Sequence, residues 1–176
     1  MIMKLKKAQI IGYRPKATRS FLAALIKLGG KIRFSHIMLY DGQGYVLEAG
    51  WPKSGKRLFS EEYLNEEDFM VVDVKGITNK QRDDIINYAL EGLDVRYDWW
   101  HYPILFIYTW FGRYDWAKKL IKFAKGIDDT SGVNCSEFIS RHIFAGTGID
   151  LCESEPHDFT LPDHLMYSDK VERVYP

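Results

Sequence analysis

Two cysteines in 176 residues are too few for a disulfide framework, which leaves a reducing compartment or a reactive thiol and makes each cysteine worth separate inspection. Charge of either sign is not in excess: 24 basic side chains balance 24 acidic ones. That balance removes the usual electrostatic case for nucleic acid or an anionic membrane surface. A bilayer-spanning run is also missing, because the longest stretch free of Asp, Glu, Lys, Arg and His, Tyr102 to Gly112, falls well short of the roughly 20 residues required. The basic start, Met1 to Lys7, is followed only by the apolar Ala8 to Gly12 before Arg14, Pro15 and Lys16 interrupt it, too short for a signal peptide. The expectation is a cytoplasmic protein with no transmembrane segment. No repeat or linker divides the chain, so residues 1–176 are read as one domain, long enough to bury roughly 70% of its unfolded surface without a covalent staple.

What is present is an ordinary globular composition, 46% apolar and 27% charged, with a 15% aromatic share concentrated after residue 95. Gln9 to Tyr13 reads as a short strand, and Thr18 as the N-cap of an apolar helix from Arg19 to Leu28 that Gly29-Gly30 ends. Ile32 to Tyr40 and Tyr45 to Ala49 read as the strands of a hairpin about Asp41 to Gly44; neither has a purely polar face, so both faces are expected to be covered. Phe69 to Val74 is a further strand. Thr78, with Gln81 three positions later, opens a capping-box helix running through Ile85, Ile86 and Ala89 towards Gly92. A helix from Tyr114 to Lys125, a polar loop from Asp128 to Gly132, a helix from Cys135 to about Ala145 ended by Gly146 and Gly148, a helical turn at Leu161 to Leu165 and a strand from Val171 to Tyr175 complete the pattern. Segregated helices with an antiparallel sheet point to an α+β fold.

Asn134 can cap the helix that begins at Cys135 while Glu137 reaches back to the cap's backbone N–H. Cys135 then occupies the first helical position, where unpaired N–H groups and the positive end of the helix dipole stabilise a thiolate. The same N–H groups, in the run Asn134 to Ser136, could line an oxyanion hole. The competing reading is a small buried residue at a helix start. Cys152 has no comparable context and reads as structural.

A thiolate nucleophile needs a histidine, and the histidine needs an acceptor for its other ring nitrogen. His36 and Glu48 can supply both if they share a face of the hairpin, which requires a register pairing positions of equal parity. A two- or four-residue loop would pair Tyr40 with Tyr45 and part them. The three-residue loop Gly42-Gln43-Gly44 would pair Asp41 with Tyr45 and make them diagonal neighbours, and Gly44 suits the left-handed conformation such a loop needs. The alternative is a histidine satisfied in a half-buried strand with Glu48 solvated at its end.

These residues resemble the circularly permuted branch of the NlpC-type papain-like cysteine hydrolases, including the YiiX-like proteins. The likeness rests, in order, on Phe34-Ser35-His36-Ile37, Val46-Leu47-Glu48-Ala49, Tyr97-Asp98-Trp99, Asn134-Cys135-Ser136-Glu137-Phe138 and Leu161-Pro162-Asp163-His164-Leu165. It implies a papain-like fold with Cys135 as nucleophile, His36 as base, Glu48 as third member and Tyr97 beside the thiolate. It implies hydrolysis of peptide-like or N-acyl amides. Acyl transfer to or from lipids on the same triad, and a binding protein without turnover, are the rival readings. The chain departs from the family in holding Asp94, Val95 and Arg96 where glycine and proline commonly precede the tyrosine.

The aromatic segment Trp99 to Trp116 matches no family motif; it is read either as core or as the wall of an apolar pocket that touches lipid acyl chains. His101, His142, His157 and His164 form no recognised zinc spacing with either cysteine or with each other, so neither metal nor cofactor is expected. His142, seven residues after Cys135, is the fallback base. Pro52 to Arg57 lacks the spacing of a phosphate-binding loop and reads as a solvated turn.

Overall fold

The computed structural model describes residues 4–14, 33–60, 63–64, 67–98, 116, 119, 132–153 and 160–175. The expected helices at 19–28 and 114–125, the Thr18 cap, His101, His157 and nearly all of the 99–116 segment lie outside them; within that segment only Trp116 is described, and it is exposed.

Six strands form one antiparallel sheet: β1 (Ile10–Arg14), β2 (His36–Tyr40), β3 (Tyr45–Glu48), β4 (Gly55–Leu58), β5 (Glu67–Val74) and β6 (Val171–Tyr175), in the spatial order β4-β3-β2-β1-β5-β6. Three helices are described, α1 (Asn79–Glu91), α2 (Cys135–Thr147) and α3 (Pro162–Met166). The fold is α+β, as the pattern of elements predicts. The strand alternation sorts side chains onto two faces. Ile10, Ile37, Leu39, Leu47, Met70 and Val72 pack with Ile85, Ile86 and Ala89 of α1 and with Phe138, Ile139 and Ile143 of α2. Ile11, Met38, Val46, Phe69 and Val71 fill the other face under Tyr13, Tyr40, Phe59 and Tyr63. Both faces are therefore covered, which is why neither hairpin strand has a polar side.

The hairpin register is set by its loop. Leu39 pairs with Leu47 and Tyr40 with Val46, and the Asp41 N–H donates to the Tyr45 carbonyl at 2.9 Å, so Gly42, Gln43 and Gly44 form a three-residue loop. Gly42 (φ +84°) and Gly44 (φ +94°) are both left-handed, a conformation that a β-carbon penalises. The buried Asp41 carboxylate closes the loop by accepting from the backbone N–H groups of Gln43 (2.7 Å) and Tyr45 (2.9 Å).

Several expectations need correction. The segment 52–57 is not a solvated turn throughout, because Gly55–Leu58 pairs with β3 as the edge strand β4. β2 begins at His36 rather than residue 32, since the N–H groups of Arg33 and Phe34 are taken by the carboxylate of Asp163, at 2.6 and 2.8 Å, instead of by a neighbouring strand. Gly146 does not end α2. It lies inside the helix where α1 passes so close that a β-carbon would stand 2.6 Å from the backbone nitrogen of Ile85, and the left-handed Gly148 (φ +74°) ends the helix instead.

Candidate functional site

The site is assembled where β2 begins and β3 ends. Tyr13 stands directly opposite His36 in the β1–β2 ladder, while His36 and Glu48 are diagonal neighbours in the β2–β3 register. All three share the face that carries Ile11, Met38 and Val46. His36 Nε2 donates to Glu48 Oε2 at 2.5 Å, which leaves Nδ1 to meet the sulfur of Cys135, with which the ring also hydrogen-bonds.

Cys135 reaches the pair because the β2–β3 ladder opens. Tyr40 exchanges its backbone bonds with Gln9 and Ala8, whereas Asp41 bonds to Tyr45, so by the alternation of an antiparallel ladder Ile37 directs its N–H towards β3. No β3 residue beyond Leu47 is paired with β2, and the Ile37 N–H instead donates to the sulfur of Cys135. The Ser136 hydroxyl lies 4.0 Å from the same sulfur.

The cysteine is the first residue of α2. Asn134 caps the helix, its Oδ1 accepting from the Glu137 N–H at 2.9 Å. The expected reciprocal bond is replaced: the Glu137 carboxylate turns to the side-chain amide of Asn134 (3.5 Å) and to Arg141. Helix geometry leaves the N–H groups of Cys135 and Ser136 without intrahelical acceptors. The approach to the helix is fixed by Tyr97, which bridges to Val133 in parallel and donates its N–H to the Pro52 carbonyl at 3.0 Å. Tyr97 is thus placed beside the strand that delivers Cys135, through its backbone.

The electrostatics follow from these contacts. Burial would raise the Cys135 thiol, but hydrogen bonding and the charge of His36, with the Ile37 N–H, bring it below the ordinary thiol value. Burial alone would lower His36; its bonds to Cys135 and Glu48 win and push it up to about 10. Glu48, 4% exposed, is likewise subject to a burial penalty, which His36 and Arg57 overcome to hold its carboxyl below the usual range. The arrangement sets a thiol whose ionisation is eased by its neighbours against a histidine whose protonated form is favoured, next to a helix N-terminus that can accept negative charge.

The other sequence candidates stand apart. His142 donates Nδ1–H to the Phe138 carbonyl at 2.5 Å, packs at a tilt against the Phe138 ring and fills the space beside Gly92, so it belongs to the α1–α2 interface and is not a fallback base. Cys152 is buried in the core, and neither cysteine is in a disulfide. Sequence reasoning missed Tyr13, Arg57 and the part played by Asp163. Tyr13 packs edge-on to His36 with ring centroids 5.5 Å apart, and burial, with the charge of Glu48, raises its phenol far above the ordinary value. Only a known β1–β2 register would have singled it out. Asp163 lies within the Leu161 to Leu165 motif, where a carboxylate beside proline was the available signal.

The fold and site together define a class: an α+β protein that presents a cysteine at a helix start to a histidine and a carboxylate on an antiparallel sheet. Over 99% of its length the chain is similar to the whole of one solved protein, metalloprotein yiiX from Escherichia coli O157:H7, assigned to DUF1105, with a TM-score of 0.67 and 15% sequence identity. At that identity the likeness is one of fold, which is YiiX-like. No protein-family model and no curated protein matches the sequence.

Proposed function

We propose that this chain is a cysteine hydrolase of the circularly permuted papain-like type, cleaving an amide bond of a peptide-like or N-acyl substrate through a thioester. The observation that carries this reading is the placement of His36 beside both Cys135 and Glu48, the ring hydrogen-bonding to each.

The thiolate of Cys135 attacks the carbonyl carbon, forming a C–S bond and moving an electron pair onto oxygen. The N–H groups of Cys135 and Ser136 stabilise that oxyanion. His36, protonated at the start, gives a proton to the amide nitrogen as the C–N bond breaks and the amine leaves. The neutral ring then takes a proton from water, whose oxygen attacks the thioester. Collapse releases the acid, regenerates the thiolate and leaves His36 protonated. Glu48 holds the ring in the tautomer and plane that this requires.

The YiiX neighbour is described as a metalloprotein. Among the described residues of this chain no three His, Cys, Asp or Glu side chains are grouped to hold a metal. His36 stands between Cys135 and Glu48, so their donor atoms face the ring and not a common point. These described residues do not fit a metal, and no step is assigned to one.

The reading is tested by incubating the protein with a panel of small N-acyl and dipeptide amides and following Cys135 by intact-protein mass. An acyl adduct that water discharges supports hydrolysis. Discharge only to an added alcohol or amine would make the protein an acyltransferase, and no adduct with any carbonyl substrate would leave a binding protein.

A further inference from the structure

Arg57 lies on the edge strand β4, directly opposite Val46 and therefore diagonal to Glu48, on the face that carries Glu48, His36 and Tyr13. Gly55, the residue directly opposite Glu48, offers the carboxylate no side chain of its own. Arg57 Nε lies 2.9 Å from Glu48 Oε1, the oxygen that His36 does not use. Glu48 is thereby gripped from both sides: one oxygen by the ring on β2, the other by the guanidinium on β4. A carboxylate this deeply buried needs both oxygens satisfied if it is to stay ionised and oriented.

We propose that Arg57 is a positioning residue of this site, fixing Glu48 so that Cys135, His36, Glu48 and Arg57 form a row of alternating charge across β2, β3 and β4. The proposal rests on the hydrolase reading and deepens it. In this row Arg57 acts through Glu48 and touches neither sulfur nor substrate. Its half-exposed guanidinium makes the outer end of the row the part in contact with water. Among the described residues, the following groups face the row or lie on the elements packed against it. His36 and Arg57 flank Glu48, the Tyr13 phenol faces Glu48 and Cys135 from β1, with the Tyr63 ring behind it, and Glu137 and Arg141 pair with each other on the cysteine helix.

Removing the guanidinium has two consequences. Glu48 loses a cation and protonates at a higher pH, which weakens its support of the imidazolium, and the thiolate loses a positive charge from its surroundings. Both move the acid limb of thiolate formation upward. The experiment is the rate of iodoacetamide alkylation at Cys135, followed from pH 4 to 10 in a Cys152→Ala background, for the parent, Arg57→Gln and Arg57→Lys. The expected result is an acid limb raised by about 1 pH unit in Arg57→Gln, the low end for loss of an opposite charge at this distance because Arg57 is half exposed, with partial return in Arg57→Lys. An acid limb left in place in both variants, with or without a uniform fall in rate, overturns the proposal. Because no substrate is involved, the two readings fail separately. A parent protein with an ordinary thiol profile contradicts the hydrolase, whereas a parent with a lowered limb that the Arg57 variants do not shift contradicts only the role of Arg57. Should Arg57→Gln fail to fold, as followed by thermal unfolding, Arg57→Met decides by the same criterion, since it keeps an unbranched stem and removes the charge.

Discussion

The backbone N–H of Ile37 points at the sulfur of Cys135 because the strand that should accept it has already turned away. This opening in the sheet admits the start of α2 to the level of the strands, and it lets a ring on one face of the sheet meet a thiol delivered from the other.

Glu48 is the group on which the charge of that arrangement depends. Glu48→Gln keeps an oxygen for the His36 ring but removes the negative charge, so His36 falls from about 10 and the thiol rises. The turnover of any amide substrate should drop by about two to four orders of magnitude, as when a triad carboxylate is replaced by its amide. Steady-state kcat/KM against a substrate found by the adduct screen measures it; a loss below tenfold would show that the carboxylate is not needed.

Asp163 should matter for both stability and the site. Its two oxygens accept from the N–H groups of Arg33 and Phe34, the residues that lead the chain into His36. Asp163→Ala leaves these donors without that partner at about 1–3 kcal/mol each, and urea unfolding should record a combined loss of about 2–6 kcal/mol. A change under 0.5 kcal/mol would contradict the contact.

Gly146 tests the approach of the two helices. Replacing a helical glycine with alanine ordinarily gains about 1 kcal/mol in propensity. The alanine methyl would stand 2.6 Å from the Ile85 backbone nitrogen, which cannot rotate away, and overpacking of that kind costs about 1–3 kcal/mol. Gly146→Ala is therefore expected to lower the thermal midpoint, and a raised midpoint would mean the helices are further apart.

Gly44 and Gly55 form a matched pair, since a β-carbon at either meets nothing within 4 Å and only Gly44 has a positive φ. Gly44→Ala should cost about 1–2 kcal/mol from backbone strain alone, and Gly55→Ala should stay within about 0.5 kcal/mol. Denaturant midpoints of the two variants make the comparison, and equal midpoints would contradict the left-handed turn.

The hairpin, its three-residue loop, the capping box at Thr78 and the cap at Asn134 were legible because each is a local matter: a loop length, a glycine, an oxygen three residues from an N–H. What local pattern could not reveal depends on pairing across the sheet. Arg57 reads as part of a turn until β4 is known to add to β3, and Tyr13 reads as an ordinary strand aromatic until β1 is set beside β2. Gly146 was misread for the same reason. A glycine near a helix end has two explanations, a stop or a close neighbour, and only the position of α1 decides between them.

The central claim is that Cys135 is a thiolate paired with a protonated His36, and alkylation of Cys135 as a function of pH in the Cys152→Ala protein measures it directly. The account predicts an acid limb well below about pH 8.5, the value of an ordinary thiol, a second step near pH 10 where His36 loses its proton, and collapse to a single limb at or above the ordinary value in His36→Ala. A single limb at or above about pH 8.5 in the parent protein, unmoved by His36→Ala, would contradict it.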